Sequence, residues 1–164
     1  MKVKRAASIP LILHDPYFSI WSGTDKLCDS DTVHWCGKRQ KIRGYITIDG
    51  ESFCFMGDKE FHQVIPQTGI ELTATGTKYT FENEKVILTA AFTSPLLLEE
   101  PVLISRPCTY VDFEVVRKAG EADVTIDVQI SADLVRFTPG AVVGGSYRTD
   151  DFSYAVMEKA EQKP

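Results

Sequence analysis

The stretch Tyr110-Val111-Asp112-Phe113-Glu114-Val115-Val116, followed after a short turn by Val124-Thr125-Ile126-Asp127-Val128-Gln129-Ile130, decides the fold class. Val111, Phe113 and Val115 fall on one side of an extended chain, with Tyr110, Asp112 and Glu114 on the other. Val124, Ile126, Val128 and Ile130 alternate in the same way with Thr125, Asp127 and Gln129. Successive side chains of a strand point to opposite faces, so a period of two gives each strand one apolar and one wet face. That is the pattern of antiparallel sheets covered on one side. Lys118-Ala119-Gly120-Glu121 supplies the turn between the two runs.

The same period runs upstream. Tyr45, Thr47 and Asp49 alternate with Ile46 and Ile48, and Phe53 and Phe55 with Cys54 and Met56. Asp49-Gly50 between these runs predicts a hairpin, because both residues tolerate the positive φ of a type I′ turn. Ile70, Leu72 and Ala74, then Thr75-Gly76-Thr77, then Tyr79 and Phe81 predict a second hairpin. Glu82-Asn83-Glu84-Lys85 turns the chain into Val86, Leu88, Ala90 and Phe92, a strand that must end by Ser94-Pro95 because proline lacks the ladder donor. Gly144-Gly145 and Thr149-Asp150 bracket weaker strands. The one helical turn expected is Leu96–Glu100, confined by Pro95 and Pro101. Short strands with regular turns predict an all-β fold, an antiparallel β-sandwich, as a single domain over residues 1–164.

At 164 residues the chain is long enough for one domain with a real core. Its 43% hydrophobic residues exclude disorder as the main description. A formal net charge of -5 argues against a nucleic-acid partner, which calls for a basic face. Lys38, Arg39, Lys41 and Arg43 read as a solvated loop flank rather than an anion site. No apolar run approaches the roughly 20 residues of a membrane helix. Met1–Arg5 is charged like the start of a signal peptide, but Ile9–Leu13 is short, broken by Pro10 and followed by His14-Asp15-Pro16, so no cleavage site follows. A cytoplasmic protein or a trimmed exported one both fit. The four cysteines show no zinc-ligand spacing. Cys54 reads as a buried thiol, and Cys28 and Cys36 could pair only in an exported protein.

Residues 8–43 lack a clean period and mix polar with aromatic side chains, which predicts an irregular, ordered segment packed on the sheet. No nucleophile elbow, metalloprotease helix or phosphate loop occurs anywhere. The candidates for contacts are therefore His14, Asp15, Tyr17, Trp21, His34 and Trp35, with no catalytic residue, no cofactor and no metal expected. Asp15 before Pro16 is held extended and can accept backbone donors. Tyr17, Phe18 and Trp21 read as anchors onto the sheet, with a platform for sugar rings as the other use of Tyr17, Trp21 and Trp35. Asp25, Asp29 and Asp31 read as turn caps, since calcium-loop spacing and its glycine are absent. A metal or acid–base site would require His14, His34 and His62 to gather with Asp15 and Asp31.

The run Ile9-Pro10-Leu11-Ile12-Leu13-His14-Asp15-Pro16-Tyr17-Phe18-Ser19-Ile20-Trp21-Ser22 resembles the opening of glutaminase A-like proteins. So do His34-Trp35-Cys36-Gly37-Lys38, Ile48-Asp49-Gly50 through Phe55-Met56-Gly57, and Thr93–Leu97 through Ser105-Arg106-Pro107. Cys36 departs from the family, where threonine is common. The resemblance implies an N-terminal sandwich preceding a six-hairpin helical-barrel domain that bears catalysis, glutamine hydrolysis to glutamate and ammonia. This chain is then expected to be a non-catalytic accessory domain, cut in or near the sandwich at its carboxyl end. Its partner would be the downstream barrel, with a homodimer through the exposed docking face as a further expectation. An independent carbohydrate- or protein-binding module is the alternative.

Overall fold

The computed structural model describes residues 7–118, 120–136 and 138–161, so the charged start Met1–Arg5 and Ala119 of the predicted turn lie outside the described residues. In chain order the strands are β1 (Ile9–Asp15), β2 (Phe18–Ser22), β3 (Ile42–Ile48), β4 (Glu51–Met56), β5 (Gln63–Val64), β6 (Gln67–Leu72), β7 (Gly76–Glu82) and β8 (Val86–Thr93). A single helical turn α1 (Pro101–Ile104) precedes β9 (Tyr110–Arg117), β10 (Val124–Ile130), β11 (Val142–Arg148) and β12 (Ser153–Lys159). The protein is all-β. Two compact units divide it, Met1–Gln129 and Ile130–Pro164. The second unit holds the β11–β12 ribbon, whose strands find their backbone partners in each other.

The first unit contains the sandwich. One four-stranded sheet has the order β6-β7-β8-β9 and is antiparallel throughout; the other has the order β10-β3-β4-β5. The Asp49-Gly50 hairpin forms as its residues dictate, with φ of 51° and 85° between β3 and β4. Asn83 performs the next turn: its side-chain oxygen accepts the backbone N–H groups of Lys85 and Val86, both at 2.9 Å. Val86, Leu88, Ala90 and Phe92 are all buried, which realises the predicted alternation in β8. On β9 the register sets Val111, Phe113 and Val115 opposite Phe92, Ala90 and Leu88.

Aromatic rings join the sheets. The Phe55 ring on β4 lies 5.7 Å from Phe81 on β7 and 5.7 Å from Phe113 on β9. A side chain at residue 44 would collide with the Phe55 ring, so only glycine fits there. The ladder slips by one residue between Gly44 and Tyr45 at the same point. Such a bulge bends the strand and re-aims the side chains beyond it. Cys54 and Tyr45 are opposite one another and pack with Cys28 and Val64.

Several expectations need correction. The helical turn starts at Pro101 rather than ending there, because proline's fixed φ and missing N–H suit a first helical position. Gly144 and Gly145 lie inside β11 rather than bracketing strands. A side chain at Gly144 would strike the Val156 carbonyl, so the glycine marks close backbone approach. Residues 8–43 are only partly irregular, since β1 and β2 form an antiparallel hairpin at their start. Two register shifts in that hairpin hide its period. The second hairpin also turns earlier than expected, at residues 73–75, with Thr73 N–H bonded to the Gly76 carbonyl at 2.9 Å.

Truncating Phe55 to alanine is expected to cost about 3–5 kcal/mol, and Gly44→Ala roughly 1–3 kcal/mol through overpacking. Urea unfolding checks both; a Gly44→Ala midpoint equal to the parent's would show that Phe55 can move aside.

Candidate functional site

Two chemistry-bearing residues of the amino-terminal segment, His34 and Trp35, meet at one backbone oxygen. Between β1 and β2, the Asp15 carboxylate accepts the N–H groups of Tyr17 at 2.7 Å and Phe18 at 3.0 Å. An aspartate at the head of a turn bonds forward to the backbone in this way. The turn leaves the Pro16 carbonyl pointing outward from the hairpin. His34 Nε2 stands 3.0 Å from that oxygen, and Trp35 Nε1 donates to it at 2.7 Å.

His34 and Trp35 reach Pro16 because residue 33 pairs with β2. Trp21 N–H bonds to the Val33 carbonyl at 2.8 Å and Val33 N–H to the Trp21 carbonyl at 2.9 Å. The chain then doubles back: Gly37 N–H bonds to the His34 carbonyl at 2.8 Å, and His34 N–H to the Lys38 carbonyl at 2.7 Å. Gly37 has φ 83°, a conformation that explains glycine in the His-Trp-Cys-Gly-Lys run. Since a carbonyl can only accept, Nε2 of His34 carries its proton and Nδ1 keeps the lone pair. Nδ1 accepts from Cys36 N–H at 3.3 Å and faces the Cys36 thiol at 2.9 Å. The buried imidazole thus ties two loops together.

Of the six candidates, Trp21, His34 and Trp35 line one cavity of about 250 Å³ with Ser8, Val33 and Gly37. Asp15 supports the neighbouring turn. Tyr17 is 83% exposed and Trp35 63% exposed, so Tyr17 anchors nothing on the sheet. His14 stacks on Phe18 at 5.5 Å. The third histidine, His62, packs on Tyr45 at 4.8 Å. Among the described residues, no three His, Cys, Asp or Glu side chains are grouped to hold a metal ion. Asp29 and Asp31 pair instead with Lys59 at 2.9 Å and Arg43 at 3.3 Å. Arg43 also binds Glu60 at 2.7 Å, and that hydrogen bond raises its pKa further. Sequence reasoning missed two participants, the Pro16 carbonyl and the Cys36 thiol. A backbone acceptor has no residue signature, whereas Cys36 was legible two residues after His34.

Residues 75–164 match the family described as domain of unknown function DUF5127, and residues 2–66 match domain of unknown function DUF4964. The chain belongs to the DUF5127 family. It is similar to glutaminase A of Aspergillus oryzae (strain ATCC 42149 / RIB 40), 26% identical over 156 residues. That alignment covers 90% of this chain and 23% of the fungal protein, so the chain spans under a quarter of that relative's length. No solved structure matches the chain. The resemblance to the glutaminase A-like amino-terminal region therefore holds across both family segments.

All four cysteines are free, so Cys28 and Cys36 are not bridged. Burial, then the neighbouring Cys28, pushes the Cys54 thiol up from 9.0 to about 11; burial likewise raises Cys28. Maleimide at about pH 8 is expected to label exposed Cys36 in the native protein and spare Cys28 and Cys54 until urea is added. The folded chain keeps the Cys54 proton while the unfolded chain releases it. Stability from this site is therefore full below 9.0 and falls as pH rises toward about 11. Urea midpoints across that range should fall less steeply in Cys54→Ala.

Proposed function

We propose that this chain is a non-catalytic accessory region of a glutaminase A-like hydrolase, packing against a helical-barrel domain that performs the chemistry. The observation that carries the reading is the exposed apolar segment before β9. Leu96, Leu97, Leu98, Val102, Leu103 and Ile104 all lie exposed, and α1 buries none of its residues. Leu96 and Ile104 also line a groove of about 300 Å³ with Pro10, Leu11 and Leu13 of β1 and with Thr73, Thr75 and Thr77. Exposed contiguous apolar surface of this kind is characteristic of an interaction site. Covering a leucine-sized side chain contributes roughly 1.5–3 kcal/mol, so six of them suit a lasting intramolecular contact.

The amino-terminal segment supports the same reading. The Asp15 carboxylate holds a turn, and His34 ties Pro16 to Cys36. A hydrolase site needs a base aimed at an open nucleophile or water. Residues 14–35 would then contribute a rim to the neighbouring domain, with Trp35 as its most exposed large ring after Tyr17. The same exposed Trp35, beside its cavity, favours a second reading, an independent carbohydrate- or protein-binding module.

Ammonia release from glutamine separates these possibilities. The 164-residue chain should be inactive, and the chain extended by a catalytic domain active. Val102→Glu should leave the unfolding midpoint of the short chain unchanged while lowering that of the extended one. Glutamine hydrolysis by the short chain would overturn the accessory reading. Quenching of tryptophan fluorescence by oligosaccharides, lost in Trp35→Ala, would favour the binding module.

A further inference from the structure

A sandwich excludes water from the inner faces of both its sheets. Strand β9 departs from this rule. It is the last strand of its sheet, with β8 on one side and no strand on the other among the described residues. Its inward residue Val111 is 38% exposed although the opposite residue, Phe92, is 2% exposed. Val128, inward on the edge strand of the other sheet, is 37% exposed. Where the two strands connect, Arg117 Nε–H donates to the Ala122 carbonyl at 2.9 Å and Ala122 is buried. Away from that connection Val111 and Val128 remain partly exposed.

The outer face of β9 has a definite charge. Asp112 and Glu114 are exposed, stand opposite Ala91 and Thr89, and have no ion-pair partner among the described residues. Directly opposed residues of an antiparallel pair share a face, and like charges there are destabilising. This argues against a second copy. The registers that overlap β9 most fully while keeping Val111, Phe113 and Val115 inward set Asp112 against Glu114, or one of these carboxylates against its own copy.

We propose that the free edge of β9 receives a further antiparallel β-strand from outside these 164 residues, apolar at its inward positions and bearing lysine or arginine at its outward ones. The backbone edge supplies the ladder, the row from Val111 to Val115 supplies the apolar contact, and Asp112 with Glu114 selects the charge. The site is separate from the exposed segment around α1 and does not depend on the hydrolase reading.

The test uses labelled peptides matched to the eight residues of β9 and the 164-residue chain, read by fluorescence anisotropy. A peptide alternating valine and lysine should bind. A blocked peptide of identical composition, and one alternating valine and glutamate, should bind at least about tenfold more weakly. Asp112→Lys with Glu114→Lys should reverse the preference between the lysine and glutamate peptides, and Glu114→Gln alone should weaken it. Both positions are exposed, and an unchanged urea midpoint checks that the variants fold. Equal binding of the alternating and blocked lysine peptides would reduce the edge to a charge effect and overturn the proposal. So would absence of binding of the alternating lysine peptide.

Discussion

The Phe55 ring is wedged between two sheets, within 5.7 Å of both Phe81 and Phe113, and the backbone opposite it had to give up its side chain at Gly44. Close-packed interiors transmit such a constraint, because a ring cannot be displaced without opening a void. The one-residue slip beside Gly44 leaves Ile46 and Ile48 buried with Phe55, while Tyr45 joins Cys28, Cys54 and Val64. That second cluster holds the chain around Cys28 against β4. Backbone bonds from Gly57 to the Leu27 carbonyl and from Lys59 to the Cys28 carbonyl complete the attachment.

With the chain held at Leu27 and Cys28, the following residues are led to the β1–β2 hairpin. Buried Thr32 accepts the Ile42 N–H at 2.8 Å and donates to the Gln40 carbonyl at 2.5 Å, closing the loop at its base. Val33 then pairs with Trp21, and the loop tip reaches Pro16. Among the polar and aromatic residues that stand out in this segment, Asp15, His34 and Trp35 are engaged with backbone groups. Orphaned backbone donors and acceptors in an irregular segment need such partners. Functional appearance and structural use are thus hard to separate in composition alone.

The same fold leaves two surfaces without cover. Around α1 the apolar side chains face water, and at β9 the inner face of the sandwich opens at its edge. The β11–β12 ribbon adds exposed aromatic rings of its own, Tyr147 stacked on Tyr154 at 5.1 Å.

The all-β class, the Asp49-Gly50 hairpin, the β8 alternation and the inward row of β9 were legible from sequence, because local sterics and a period of two depend on neighbouring residues alone. The glutaminase A-like resemblance was also legible, in a motif whose turn and loop residues obey local backbone demands at Asp15 and Gly37. The hairpin at Ile9–Ser22 was not, since its bulges break the period that would reveal it. Nor could sequence tell that His34 and Trp35 meet at Pro16, or that Val111 would be uncovered while Val86 is sealed. Those facts depend on which strands become neighbours and which become edges. That choice is made by long-range packing around Phe55, where residues far apart in the chain compete for the same space.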